Sequence, residues 1–189
     1  MKISSTKFNK TGAASITSNR LKFQVILFLG FILSATSIQA GHGRRLKFDS
    51  TSCLLIEGKI LNADQGIDES CVVELILNNS TVDSVLLKNG KSNFKFVLSK
   101  NKNYAIRISK RGFVSKLLSI DTRMLNEEEV IFKFEFAPKL VKVEFAKKLN
   151  QDALDWPVAL INFDGKHQCF SYDRQYTTQM KRNLYASNN

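Results

Sequence analysis

Beyond Arg45 the sequence is a succession of short runs in which apolar and polar residues alternate. In the clearest run, residues 129–136, four apolar side chains fall on one side and the charged side chains on the other. The apolar members are Val130, Phe132, Phe134 and Phe136. Because successive side chains of a strand point to opposite faces, this alternation predicts half-buried β-strands. The pattern recurs in residues 54–60, 71–77, 82–87, 93–98, 103–108, 113–120 and 140–145.

The spacing of these runs constrains how the strands pack. They follow one another roughly every 8–12 residues, as in sandwich and barrel proteins. No helical pattern separates them, whereas parallel neighbours in one sheet usually need a helical crossover. The sequence therefore predicts an all-β fold, a seven- to eight-stranded antiparallel sandwich.

Two local features assign pairing and faces inside this sandwich. Asn89-Gly90 is a two-residue hairpin signal, and it predicts that residues 82–87 pair with residues 93–98. The alternation in residues 140–145 predicts a further strand. Its core-facing residues are predicted to be Val141, Val143 and Phe145.

The tail of the chain has a different pattern. Residues 158–163 predict a last strand that ends in a turn at Asp164-Gly165. From residue 172 to residue 185 an apolar residue recurs every fourth position, which predicts a short amphipathic helix with Ser171 as a candidate cap. These residues are Tyr172, Tyr176, Met180 and Leu184. We expect the stripe to pack on the sandwich; the alternative is an exposed face for a partner.

The first forty residues have the order of a secretory signal. A basic stretch ends at Lys22, an apolar run covers residues 23–33, and small and polar residues continue to Ala40. The continuous apolar segment is only about eleven residues long, well short of the ~20 needed to span a bilayer. The sequence predicts an exported chain cleaved after Ala40, in the periplasm or at the cell surface. An uncleaved anchor at residues 21–40, holding the domain at the inner membrane, is the alternative.

These patterns divide the chain into four parts. Residues 1–40 are the signal, 41–52 a flexible leader, 53–146 the sandwich, and 147–189 a C-terminal strand and helix. Five of the 28 basic residues and none of the 17 acidic residues lie in the signal, which leaves 23 against 17, or +6, for the remainder. The remaining charges are interleaved, as in Lys133 and Glu135, which is typical of solvated strand faces and argues against nucleic-acid binding.

The reactive side chains of the chain are few. The three cysteines, Cys53, Cys71 and Cys169, are predicted to be packed, inert thiols. His167 and Cys169 would share a strand face, and cleavage after Ala40 would place His42 second in a Gly-His-Gly start that suits Cu(II). The first set lacks a third and a fourth ligand, and the second is better explained as a disordered remnant of processing. We therefore expect no resident metal, no cofactor and no catalytic residue.

Residues 54–121 resemble a carboxypeptidase regulatory-like domain, the transthyretin-like sandwich common in envelope proteins of Bacteroidetes. The features that carry the resemblance are Ile56-Glu57-Gly58-Lys59-Ile60, Val73-Glu74-Leu75, the Asn89-Gly90 turn before Phe94, and the element from Tyr104 to Lys110-Arg111-Gly112-Phe113. Gly112 permits a tight reversal, and Phe113 is expected to close one end of the core.

The resemblance implies a non-catalytic accessory or binding module that contacts an envelope protein or a glycan. Membrane contact is expected only through an uncleaved N-terminal anchor. Two alternatives stay open at this point. One is an exported hydrolase whose site uses His167, and the other is a periplasmic metal-binding protein.

Overall fold

A computed structural model of the chain describes residues 8–9, 46–61, 70–124 and 130–186. His42, the apolar run 23–33 and the break at residues 62–66 lie outside these residues. Within them, ten strands carry most of the regular structure. They are β1 (Phe8–Asn9), β2 (Ser52–Lys59), β3 (Cys71–Leu77), β4 (Ser80–Leu87), β5 (Asn93–Ser99), β6 (Asn103–Lys110), β7 (Lys116–Asp121), β8 (Val130–Phe136), β9 (Ala159–Asp164) and β10 (Cys169–Tyr172). The helices are α1 (Val143–Ala146), α2 (Arg174–Tyr185) and a 3-10 turn, Gln151–Ala153.

The strands form two sheets, and both are mixed. The smaller sheet has the order β1-β8-β2-β5 and the larger has the order β10-β9-β7-β6-β3-β4. The pairs β2–β8 and β7–β9 are parallel, so the prediction of a purely antiparallel fold is wrong. Between the two strands of each parallel pair, the chain forms at least one strand of the opposite sheet. That strand takes the place of the usual crossover helix.

The inner faces of the two sheets share one apolar core. Phe132 of β8 packs edge-on against Phe163 and Phe170 of the larger sheet, with ring centroids 5.2 and 5.7 Å apart. The alternation predicted for β8 is confirmed, because Phe132, Phe134 and Phe136 are all buried and Val130 packs at the margin. Aromatic burial thus holds the two layers together.

The outer face of the smaller sheet carries paired charges. Lys133 Nζ lies 2.9 Å from Glu57 and 2.5 Å from Glu135, and Lys95 Nζ also contacts Glu57 at 2.5 Å. These side chains sit on three neighbouring strands, so opposite charges face one another across the sheet. The interleaved charges of the sequence are therefore neutralised locally on this face.

The predicted hairpin at Asn89-Gly90 does not form, although its turn does. Both residues have positive φ, 55° and 73°, as the turn chemistry requires. However, β4 belongs to the larger sheet while β5 pairs with β2 in the smaller one. The chain changes sheets at this turn. Strand β4 forms its hairpin with β3 instead, through Asn78-Asn79, where φ is 51° and 60°.

The predicted strand at residues 140–145 is also wrong. Leu140 is buried, but Val143 and Phe145 are 49% and 57% exposed and belong to the short helix α1. The only strand-like pairing in this stretch is a single bridge between Phe113 and Lys142. Without a continuous neighbour to complete a ladder, the backbone bonds locally instead, from Ala146 N–H to the Lys142 carbonyl.

The C-terminal segment completes the larger sheet. β9 adds to β7 in parallel, and β10, which the sequence pattern did not predict, forms a hairpin with β9. Ile161 and Phe170 from these strands lie in the common core, each 1% exposed. Helix α2 starts after Asp173, whose side chain accepts a hydrogen bond from Tyr176 N–H, so Asp173 and not Ser171 is the cap.

Candidate functional site

His167 and Cys169 lie at the hairpin between β9 and β10. Asp164 accepts hydrogen bonds from Lys166 N–H at 2.9 Å and His167 N–H at 3.2 Å, and its other oxygen lies 2.6 Å from His167 Nδ1. The His167 hydrogen bond is the main cause that lowers the pKa of Asp164. Asp164, the first residue of the turn, thus stabilises it through its side chain, and the imidazole of His167 is 65% exposed to solvent.

The same hairpin borders an open cavity of about 550 Å³ that brings His167 and Cys169 together with Ser171 and Arg174. Burial raises the pKa of the Cys169 thiol, and the negative charge of Asp164 adds to the effect. A raised pKa opposes formation of the thiolate, which is the nucleophilic and metal-binding form of cysteine. Across the described residues, no three His, Cys, Asp or Glu side chains cluster as a metal site.

The apolar stripe of the tail faces the domain. Tyr172 packs edge-on against Phe134 at 5.1 Å, and burial raises its pKa to about 12. Tyr176 donates its hydroxyl hydrogen to the Pro157 carbonyl at 2.8 Å, and Met180 is 6% exposed. Leu184 is half-buried at the wall of a second cavity. These side chains therefore hold α2 in place and do not form one exposed face.

All three cysteines are free. Cys53 and Cys71 are fully buried, and burial raises the pKa of Cys53 to about 12 and also raises that of Cys71. Cys169 is half-buried at the edge strand β10.

We expect Ellman's reagent at pH 8 to modify Cys169 of the native chain at least about tenfold faster than Cys53 or Cys71, because reaction requires an accessible thiolate. Absorbance of the released thiol measures the rates. In Cys169→Ser the fast phase should vanish, while all three cysteines of the original chain should react once it is unfolded in guanidinium. A fast phase that persists in Cys169→Ser would contradict the assignment.

Strand β4 forms one edge of the larger sheet, and β10 forms the other. Among the described residues no strand pairs with the outer side of β4. Its solvent face carries Val82 and Leu86, which are 53% and 51% exposed. The strand is eight residues long and contains no lysine or proline, although a register shift against β3 leaves Val82 as a bulge.

Sequence reasoning identified β4 as a strand but missed its position at an edge. The Asn89-Gly90 turn appeared to supply a partner for it in β5. Nothing in the composition of residues 80–87 marks an edge, because Asp83 is their only charged residue and edge strands usually carry more charge.

Neither helix in the described part of the chain is long and apolar enough to span a lipid bilayer. Comparison with protein-family models finds no match, and neither does comparison with curated proteins.

Proposed function

We propose that this chain is a non-catalytic exported module of the transthyretin-like sandwich type that binds a protein partner of the cell envelope along β4. The observations that carry the proposal are that no strand among the described residues pairs with the outer side of β4 and that Val82 and Leu86 are exposed on it. An extended segment of a partner can add to such an edge as another strand. Its backbone supplies the affinity, and its side chains contact the alternate residues of β4.

The remaining parts of the proposal rest on the sequence. The basic, apolar and small-residue order of residues 1–40 supports export, with cleavage after Ala40 or retention as an anchor. The residues that resemble the regulatory-like family lie in β2, β3, β5 and β6 and in the turns after β4 and β6. Mixed sheets with a shared aromatic core are compatible with that type of sandwich.

Photo-crosslinking in living cells tests the partner surface. We expect benzoylphenylalanine at position 86 of the full chain to form one major adduct with an extended segment of an envelope protein. The same group at position 145 should form none, although Phe145 is as exposed as Leu86. With the crosslinker at position 82, Leu86→Lys should reduce the adduct about tenfold, because a lysine on an edge strand opposes strand addition.

An adduct at position 145 without one at positions 82 and 86 would overturn the β4 proposal. An adduct that joins only two copies of this chain would also overturn it, in favour of self-association. The intact mass of the chain from the same cells tests export, because cleavage gives a product that starts at Gly41. A full-length chain in the cytoplasmic fraction would contradict export.

A further inference from the structure

A second cavity lies between the start of β7 and helix α2, away from β4, and has a volume of about 300 Å³. This is at the lower end of the range for small-molecule sites. Its walls are mainly apolar and come from the segment before the 3-10 turn, the loop before β9, and α2. The apolar lining residues include Val141, Leu149, Leu154, Val158 and Leu184.

Two lysines also line this cavity. Lys116 is the first residue of β7 and lies on the same face of the strand as the core residues Leu118 and Ile120. Lys181 projects from α2. Among the described residues neither lysine forms an ion pair, and no Asp or Glu lines the cavity. Burial lowers the pKa of Lys116, as expected for an amine in an apolar wall without a compensating charge.

Thr177 supplies an unsatisfied polar atom in the same wall. Its Oγ1 is inaccessible to solvent and has no hydrogen-bond partner in the described part of the chain. Buried hydroxyls are nearly always hydrogen-bonded, because desolvation without a partner is unfavourable. Among the described residues, the lining of the cavity thus combines apolar side chains with two cationic donors and no anion.

We propose that this cavity binds a small amphipathic carboxylate, an acyl chain of about eight carbons with a free carboxylate at one end. The apolar walls would cover the chain, while the carboxylate would accept hydrogen bonds from Lys116 and Lys181. A volume of about 300 Å³ is enough for one short acyl chain. The inference is independent of the proposed partner site on β4.

Each part of this ligand is required by a part of the cavity. A compact inorganic anion would neutralise the lysines but leave the apolar walls in contact with water. A neutral alkyl compound would cover the walls but leave the buried amine without a counter-charge. Only a molecule with both parts satisfies the whole lining.

Calorimetric titration of the purified full chain with octanoate tests the proposal. We expect saturable binding with one site per chain, and at least about tenfold weaker binding of octanamide, which has the same length and no charge. Lys116→Met should weaken octanoate binding by about tenfold or more. The matched control Lys166→Met, which removes an exposed lysine from the β9–β10 turn, should leave the affinity unchanged.

Thr177→Val separates ligand binding from folding. Valine has a similar shape but no hydroxyl, so the free protein should melt at the same or a higher temperature, and octanoate binding should not change because Oγ1 is closed to a ligand. Lys181→Met, at an exposed position, should weaken binding and leave the melting temperature unchanged, which covers the case in which Lys116→Met fails to fold.

Three results would overturn the proposal: no saturable octanoate binding at millimolar concentrations, equal affinity for octanamide, or equal affinity in Lys181→Met and Lys166→Met. Vesicles of phosphatidylglycerol distinguish a free carboxylate from a membrane lipid. Competition of octanoate by such vesicles, with the lysine variants losing vesicle binding, would assign the site to lipid and also overturn it.

Discussion

Replacing Gly58 with alanine is expected to lower the free energy of unfolding by about 2–3 kcal/mol, as for other overpacked cores. A Cβ at this position would lie 2.1 Å from Cζ of Phe94, far inside van der Waals contact. The ring cannot swing aside freely, because it is buried and packs against Phe96 and Phe136 at centroid distances of 5.8 and 5.7 Å. Urea unfolding of the purified chain measures the change.

A double-mutant cycle identifies the cause of this loss. Phe94→Leu shortens the side chain that the new methyl group would meet, so Gly58→Ala should cost at least about 1 kcal/mol less in that background. Gly90→Ala provides the control. Gly90 has φ of 73° and no atom within 4 Å of the position of a Cβ, so its cost comes from the backbone and should add independently to that of Phe94→Leu. A loss below about 0.5 kcal/mol for Gly58→Ala would show that the core relaxes around the methyl group.

Phe170→Ala is expected to destabilise the chain by about 3–5 kcal/mol, the usual cost of removing a buried phenylalanine side chain. Phe170 is 1% exposed, and its ring lies 5.7 Å from that of Phe132 and 5.4 Å from that of Phe163. The substitution therefore removes a contact between the two sheets. Since domains of this size are stable by about 5–15 kcal/mol, the loss is a large part of the total.

The matched control for this prediction is Phe145→Ala. Phe145 is the same residue type in the neighbouring part of the chain, but it is 57% exposed, so its truncation should change stability by less than about 0.5 kcal/mol. Urea unfolding compares both variants with the original chain. If Phe170→Ala were as mild as Phe145→Ala, β10 would not belong to the cooperative core.

Local alternation predicted individual strands better than their arrangement. The run 71–77 is a strand with those same bounds, and residues 129–136 match β8 to within one residue. In both cases the alternating residues can be buried by whichever strands become neighbours. The parallel pairs β2–β8 and β7–β9 could not be predicted, because they depend on partners distant in the sequence and separated by passages through the other sheet.

The failed predictions have a common physical origin. Asn89 and Gly90 specify a left-handed turn, but a turn fixes only the direction of the chain and not the sheet that the next strand enters. In residues 140–145 the alternation is as regular as elsewhere, yet among the described residues the pairing is limited to the single bridge between Phe113 and Lys142. A period-two pattern shows that a segment can form a strand, but tertiary contacts decide whether it does.

The candidate sites were predictable only where neighbours in sequence are neighbours in space. His167 and Cys169 were expected to share a strand face; His167 lies instead in the turn before β10, and the two residues line one cavity because they belong to one hairpin. The cavity at Lys116 was not predicted, since its walls come from β7, the 3-10 region and α2, which are far apart along the chain. A lysine in an alternating run gives no sign that it lies on the core face.

The parallel pairing of β2 with β8 also has a consequence for the order of folding. Leu54 can pair with Phe132 only after most of the larger sheet has been synthesised. Strand β7 can pair with β9 only after the ribosome has added α1 and β9 itself. Chains dominated by such distant contacts have high contact order and fold slowly. A nascent chain of this kind would stay unfolded while its C-terminal third is still on the ribosome. Under the export proposed above, that delay would leave the chain unfolded while it passes through a narrow translocation channel, and the two layers would then close on the far side of the membrane.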